Sequence, residues 1–204
     1  MKRLLVIVDM VNGFINEGAL ADKKIDAITP SIIKLTKRAI YRNVNIIAFV
    51  DTHQIGDEEF IHFPEHCIKG TKECELIPQL LPYANKFKII EKNTVNGFRT
   101  KQFQKIIEKN VYDEIIVTGC CTDICVEAFV KDLLNFNKAN NRSTKVIIPE
   151  YAVYTFDLPE HNALKCHKEA LQRMEKQGAV VVYDFNKNRH TSSKEIDTQE
   201  LQLG

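Results

Sequence analysis

The sequence predicts an α/β fold, a three-layer α/β/α arrangement around a mainly parallel sheet of roughly six strands. Three observations carry this. Short β-branched runs recur along the 204 residues. They lack the polar/apolar alternation of a half-solvated sheet, so both faces are buried. Amphipathic stretches of helical period fall between them, which means crossover connections rather than hairpins.

The strands are residues 4–8 (LLVIV), 45–50 (NIIAFV), 88–90 (KII), 114–118 (EIIVT), 145–148 (KVII) and 179–183 (AVVVY). A helix over 31–42 gathers Ile32, Ile33, Leu35, Ala39 and Ile40 on one side. Residues 101–109 carry Phe103, Ile106 and Ile107, and residues 124–136 carry Val126, Phe129, Val130, Leu133 and Leu134. A last helix over 159–177 is closed by Gly178, a helix-stop residue. Residues 51–87 break the rhythm: 37 residues with little periodicity carry His53, His62, His66, three prolines and two glycines. A connection this long inside one domain is usually functional. The chain therefore divides into a single domain over 1–186, with an insertion at about 51–87, and a polar tail over 187–204.

Composition narrows the function. With 28 Lys+Arg against 27 Asp+Glu the chain has no basic field for nucleic acid or anionic membrane. The apolar run 4–8 is too short for a signal peptide, and there is no 18-residue apolar stretch, so the expected location is the cytoplasm. None of the six cysteines stands in C-x-x-C spacing, which argues against a zinc ribbon or a thioredoxin motif.

In open α/β sheets chemistry collects beyond the carboxyl ends of the strands. That rule selects Asp9, Asp51, Glu91/Lys92 and residues 119–125. In the last of these, Gly119-Cys120-Cys121-Thr122-Asp123-Ile124-Cys125, a glycine turn leads into a capped helix. Cys125 would sit in its first turn, where the helix dipole favours a thiolate; a small buried hydrophobe fits the local sequence equally well, and better for Cys120 and Cys121. Asp9 and Lys92 could serve such a nucleophile as base and electrostatic partner, or could be a turn cap and a solvated lysine. Asp51-x-His53, with Glu59 and His66 downstream, offers the carboxylate and imidazoles of a transition-metal site, and His62 and Asp57 are rival ligands.

Together these residues resemble the isochorismatase-like cysteine hydrolases, and within them the nicotinamidases, over residues 4–183. The matching segments are Asp9-Met10-Val11-Asn12-Gly13-Phe14, Asp51-Thr52-His53, Phe63-Pro64-Glu65-His66-Cys67-Ile68-Lys69-Gly70-Thr71, Lys92 through Phe98, and Gly119 through Val126. The resemblance implies a catalytic triad of Asp9, Lys92 and Cys125, a cis Cys120–Cys121 peptide, and an oxyanion hole from the N–H groups of Cys121 and Cys125. It also implies one divalent metal ion, Zn²⁺ ahead of Mn²⁺ or Fe²⁺, on Asp51, His53, His66 and Glu59, with Phe14 as a ring-stacking wall. The implied activity is hydrolysis of nicotinamide, and of its analogue pyrazinamide, in NAD salvage. The implied partner is this small molecule, with neither nucleic acid nor membrane, and homo-oligomers fit the family. Gly13 and Val11 depart from the family's acid and glutamine, so the first loop is expected to pack differently; Glu65 replaces a proline. Two other readings use the same residues differently: a metal-independent hydrolase of another small amide or carbamoyl compound, and a catalytically silent binding protein.

Overall fold

A computed structural model describes residues 1–183 of the chain, so the expected tail lies outside the described residues. Seven strands form one parallel sheet: β1 (Arg3–Val8), β2 (Asn45–Asp51), β3 (Phe87–Lys92), β4 (Glu114–Cys120), β5 (Lys145–Pro149), β6 (Val153–Tyr154) and β7 (Val180–Val182). Their order is β3-β2-β1-β4-β5-β7, and β6 pairs the far end of β4. β5 accompanies β4 from Glu114 to Ile116, then β6 takes over at Gly119 and Cys120. Two residues leave no readable pattern, which is why the sequence suggests six strands and the fold has seven.

The alternation inside β1 explains the three layers. Leu4, Val6 and Val8 enter one core with Phe103, Phe129, Leu133 and Met174, while Leu5 and Ile7 enter a second with Ile25, Ile32 and Ile77. A strand buried on both faces needs apolar residues at every position, and β1 supplies them. The first core is covered by α3 (Lys101–Lys109), α4 (Glu127–Ala139) and α5 (Ala163–Lys176); the second by α1 (Asn12–Ile15), α2 (Thr29–Tyr41) and the 51–87 segment.

Helix boundaries shift for local reasons. α2 starts early because Pro30 suits a first turn, where its missing N–H costs nothing. α5 starts at Ala163 rather than 159, because Asn162 caps it by accepting from the Lys165 N–H at 2.9 Å. Before it, Leu158 and His161 exchange two backbone hydrogen bonds of 3.0 Å in a turn. The insertion is organised as short 3-10 turns (Glu58–Ile61, Lys72–Cys74, Leu81–Lys86), and it is anchored by His53–Ile68 and Val11–Leu76 bridges.

Two glycines are dictated by close approach. At Gly119 (φ +111°) a Cβ would stand 2.0 Å from the Val8 carbonyl oxygen, so only glycine lets the ends of β4 and β1 meet. At Gly13 a Cβ would fall 2.6 Å from Cys67 Sγ. The Cys67 turn therefore packs directly on Gly13 and leaves no room there for a side chain.

Candidate active site

The sheet order brings Asp9, Asp51 and Lys92 to three adjacent strand ends, with residues 119–125 at the fourth. Asp9 ends β1 in left-handed backbone (φ +52°), its N–H bonded to the Phe49 carbonyl at 3.1 Å. Asp51 and Lys92 are register partners across β2 and β3. Lys92 Nζ lies 2.9 Å from Asp9 Oδ2 and 2.7 Å from Asp51 Oδ1, and all three side chains are at most 1% exposed. The alternative of a solvated Lys92 is thereby removed.

After β4, the Cys120–Cys121 peptide is cis and Thr122–Val126 form a single π-helical turn before α4. Cys125 lies on this turn, buried, and its thiol faces the Asp9 carboxylate. The Thr122 hydroxyl and His167 Nδ1 share a 2.9 Å hydrogen bond that ties the turn to α5. Burial depresses the pKa of His167 to about 4, so the ring is neutral near pH 7. His167 went unnoticed in the sequence, because nothing local links it to a residue 45 positions away.

One cation among several buried acids sets the electrostatics. Burial raises the Asp9 carboxyl to about 7; Lys92 opposes the shift and Asp51 adds to it. Burial also disfavours an ionised Asp51, yet Lys92 and the hydrogen bonds from His53 and His66 outweigh it and hold the carboxyl far below the ordinary range. Burial disfavours the Lys92 ammonium, and the charges of Asp51 and Asp9 more than compensate, so it stays protonated. The Cys125 thiol is pushed up by burial, with Lys92 pulling the other way. Burial thus works against the thiolate that a position at a helix start would favour.

Asp51, His53 and His66 bring one ligand atom each within 4.8 Å of one another. His53 Nε2 and His66 Nε2 each stand 3.0 Å from Asp51 Oδ2. Behind them, His66 Nδ1–H donates to the Pro64 carbonyl at 2.7 Å, and His53 Nδ1 meets Asp57 Oδ2 at 3.1 Å. Outer nitrogens tied down and inner nitrogens converging on a carboxylate is how proteins orient imidazoles for a metal ion. The donor set therefore fits a divalent transition metal. Asp57 supports His53 from behind and is not a fourth donor; His62 is exposed, and it falls outside the set. Glu59 lines the same cavity and its charge bears on His53, but its carboxylate also falls outside the set. Glu65 is exposed.

Both clusters open on one cavity of ≈ 370 Å³. Asp51, His66 and Cys125 line it together with Phe14, Phe63 and Phe156. Phe14 packs against His66 with centroids 5.7 Å apart. The sequence reading named Phe14 alone; Phe63 stands in the histidine box, but Phe156 follows the unread strand β6 and left no signal. A largely apolar cavity with a thiol at one point and an imidazole at another suits a small aromatic amide.

The isochorismatase domain family matches residues 3–183. A protein of Arabidopsis thaliana, Nicotinamidase 1, is 35% identical over 179 residues, covering 78% of this chain and 72% of its own. Among solved structures, a nicotinamidase of Bacillus subtilis superposes with a TM-score of 0.75 at 27% identity, covering 89% of this chain and 99% of that one. The N-carbamoylsarcosine amidase of Thermoplasma acidophilum superposes with a TM-score of 0.74 at 28% identity, covering 90% and 96%.

Proposed function

The chain belongs to the isochorismatase family, and on that premise we propose that it is a nicotinamidase, hydrolysing nicotinamide to nicotinate and ammonia. The observation that carries the reading is the double engagement of Lys92. One ammonium joins Asp9, which faces the Cys125 thiol, to Asp51, which gathers His53 and His66. The nucleophile and the imidazole cluster are thus parts of one site with one cavity.

The chemistry follows from the resting protonation states. Cys125 Sγ attacks the carboxamide carbon while its proton passes to Asp9, and the carbonyl oxygen becomes an oxyanion facing the N–H groups of the 121–125 turn. The C–N bond then breaks as Asp9 returns the proton to nitrogen, releasing ammonia and leaving a thioester on Cys125. Asp9 next takes a proton from water as its oxygen attacks the acyl carbon. The C–S bond breaks, the proton on Asp9 returns to sulfur, and the acid leaves as nicotinate after giving its carboxyl proton to solvent. A carboxyl titrating near neutrality suits a group that must both accept and release a proton. Lys92 keeps its charge throughout and steadies Asp9 whenever that group is ionised.

A divalent ion held by Asp51, His53 and His66, with Glu59 or water beside them, would supply a Lewis-acid anchor for the pyridine nitrogen. Phe14, Phe63 and Phe156 clamp the ring and exclude water. The same proposal puts the reaction in NAD salvage and in the cytoplasm; among the described residues no helix is long and apolar enough to cross a membrane.

The test is ammonia release from nicotinamide by the purified protein, with and without a chelator. Turnover that falls with chelation and returns with Zn²⁺, Mn²⁺ or Fe²⁺ is expected. No turnover in the metal-loaded protein overturns the reading. Chelator-insensitive hydrolysis of a carbamoyl compound would favour the alternative that the N-carbamoylsarcosine amidase neighbour represents.

A further inference from the structure

A second group of metal-type donors lies outside the site just described. Asp123, on the π-helical turn, places Oδ2 2.7 Å from His161 Nε2, and Cys166, in the first turn of α5, brings its sulfur into the same set. One ligand atom from each residue lies within 4.8 Å of the others. The group reproduces the architecture of the Asp51 cluster. His161 Nδ1 is tied to a backbone carbonyl, that of Phe156, at 2.9 Å, just as His66 Nδ1 is tied to Pro64. Its Nε2 then turns to a carboxylate, as the Nε2 atoms of His53 and His66 do. The second oxygen, Asp123 Oδ1, is buried and has no hydrogen-bond partner. A simple ion pair explains neither this free oxygen nor the thiol beside it.

We propose that Asp123, His161 and Cys166 form a second, independent binding site for a borderline-soft divalent metal such as Zn²⁺. The donors are one carboxylate, one imidazole and one thiol, a set that Zn²⁺ accepts in tetrahedral geometry with the fourth position left to water. His161 is 21% exposed and Asp123 11%, so an ion can enter from solvent. Zinc takes cysteine as the thiolate and histidine as the neutral imidazole, so affinity falls in acid. The ion would part Asp123 and His161 by roughly 0.5 Å, the difference between a hydrogen bond and two ligands on one metal.

The place gives the site a consequence. Asp123 neighbours Thr122 on the turn that carries Cys125, and His161 stacks on Phe156 (centroids 3.9 Å, planes 12° apart), which walls the substrate cavity. A metal here would fasten the 155–162 loop to the nucleophile turn. The donors belong to neither the triad nor the Asp51 cluster, so the inference does not depend on which amide is cleaved.

Co²⁺ titration followed by absorption separates the two sites. The Asp51 cluster offers only oxygen and nitrogen, whereas a Co²⁺ bound by Cys166 gives a thiolate-to-metal charge-transfer band in the near ultraviolet. The expected result is that band in the whole protein, its loss in Cys166→Ser, and one fewer equivalent of Co²⁺ in that variant. Zn²⁺ should bleach the band by displacement. No band on saturation, or a band that survives Cys166→Ser, overturns the proposal, whether or not the Asp51 cluster binds.

Discussion

Arg3 and Lys92 each bring a positive charge to a strand terminus, at opposite edges of the sheet, and each meets carboxylate at hydrogen-bond distance. At the amino-terminal edge Arg3 Nε stands 2.7 Å from Glu114 Oε2, one cation for one anion, with 19% and 15% of the two side chains still exposed. At the carboxyl-terminal edge Lys92 must serve Asp9 and Asp51 together, and none of the three keeps more than 1% of its surface in water. The first pair is matched and hydrated; it only ties β1 to β4. The second is short of one positive charge. The deficit falls on Asp9, whose carboxyl rises to about 7 and so becomes a group that can trade protons with a thiol. Similar side chains make a strut at one end of the sheet and, in the mechanism we propose, a proton carrier at the other, and hydration and stoichiometry decide which.

The contrast can be broken most severely at the nucleophile. Cys125→Ala is expected to lower ammonia release by at least about a thousandfold while leaving the circular dichroism unchanged; substantial residual turnover would remove Cys125 from its role. Next in size, Lys92→Met leaves two buried carboxylates without their cation, and urea unfolding at pH 7 should show a loss of about 3–5 kcal/mol along with activity. Asp9→Asn sharpens the comparison, since it should abolish turnover yet stabilise the fold at pH 8. A carboxyl whose pKa is raised on folding keeps its full favourable contribution below the unfolded value of 3.8 and loses it as pH rises through about 7. The gain from Asn should accordingly shrink as the melting experiment moves toward pH 4. The same group governs rate: kcat/KM should fall tenfold per pH unit below about 7 and level off above it. Smallest of all, Arg3→Ala at the hydrated edge should cost about 0.2–1 kcal/mol and leave kcat/KM unaltered.

What the sequence disclosed was whatever depends on neighbours in the chain. The long strands were readable because double burial fills β1, β2 and β4 with apolar residues, and strand ends then pointed to Asp9, Asp51 and Lys92 without any contact being known. The helix of 101–109 was readable because its own period defines it. What escaped depends on distant partners or on pieces too short for a period. β6 is two residues long and exists because β4 outruns β5. The start of α5 hinged on a single cap, Asn162. At Cys125 the helix start is visible locally, whereas the burial that works against a thiolate comes from the assembled core. His161 offered no hint of Asp123, 38 positions earlier, until the fold joined them.

The place of β1 in the sheet order has a consequence for how the molecule is made. β1 is synthesised well before β4, one of its two neighbours, whose Glu114 pairs Arg3 across 111 positions of chain. Through the synthesis of those 111 residues, an apolar strand carries an open parallel edge. A nascent chain stalled in this interval exposes the kind of unpaired strand that other chains join. Its hazard of aggregation should end only when Gly119 seats against Val8.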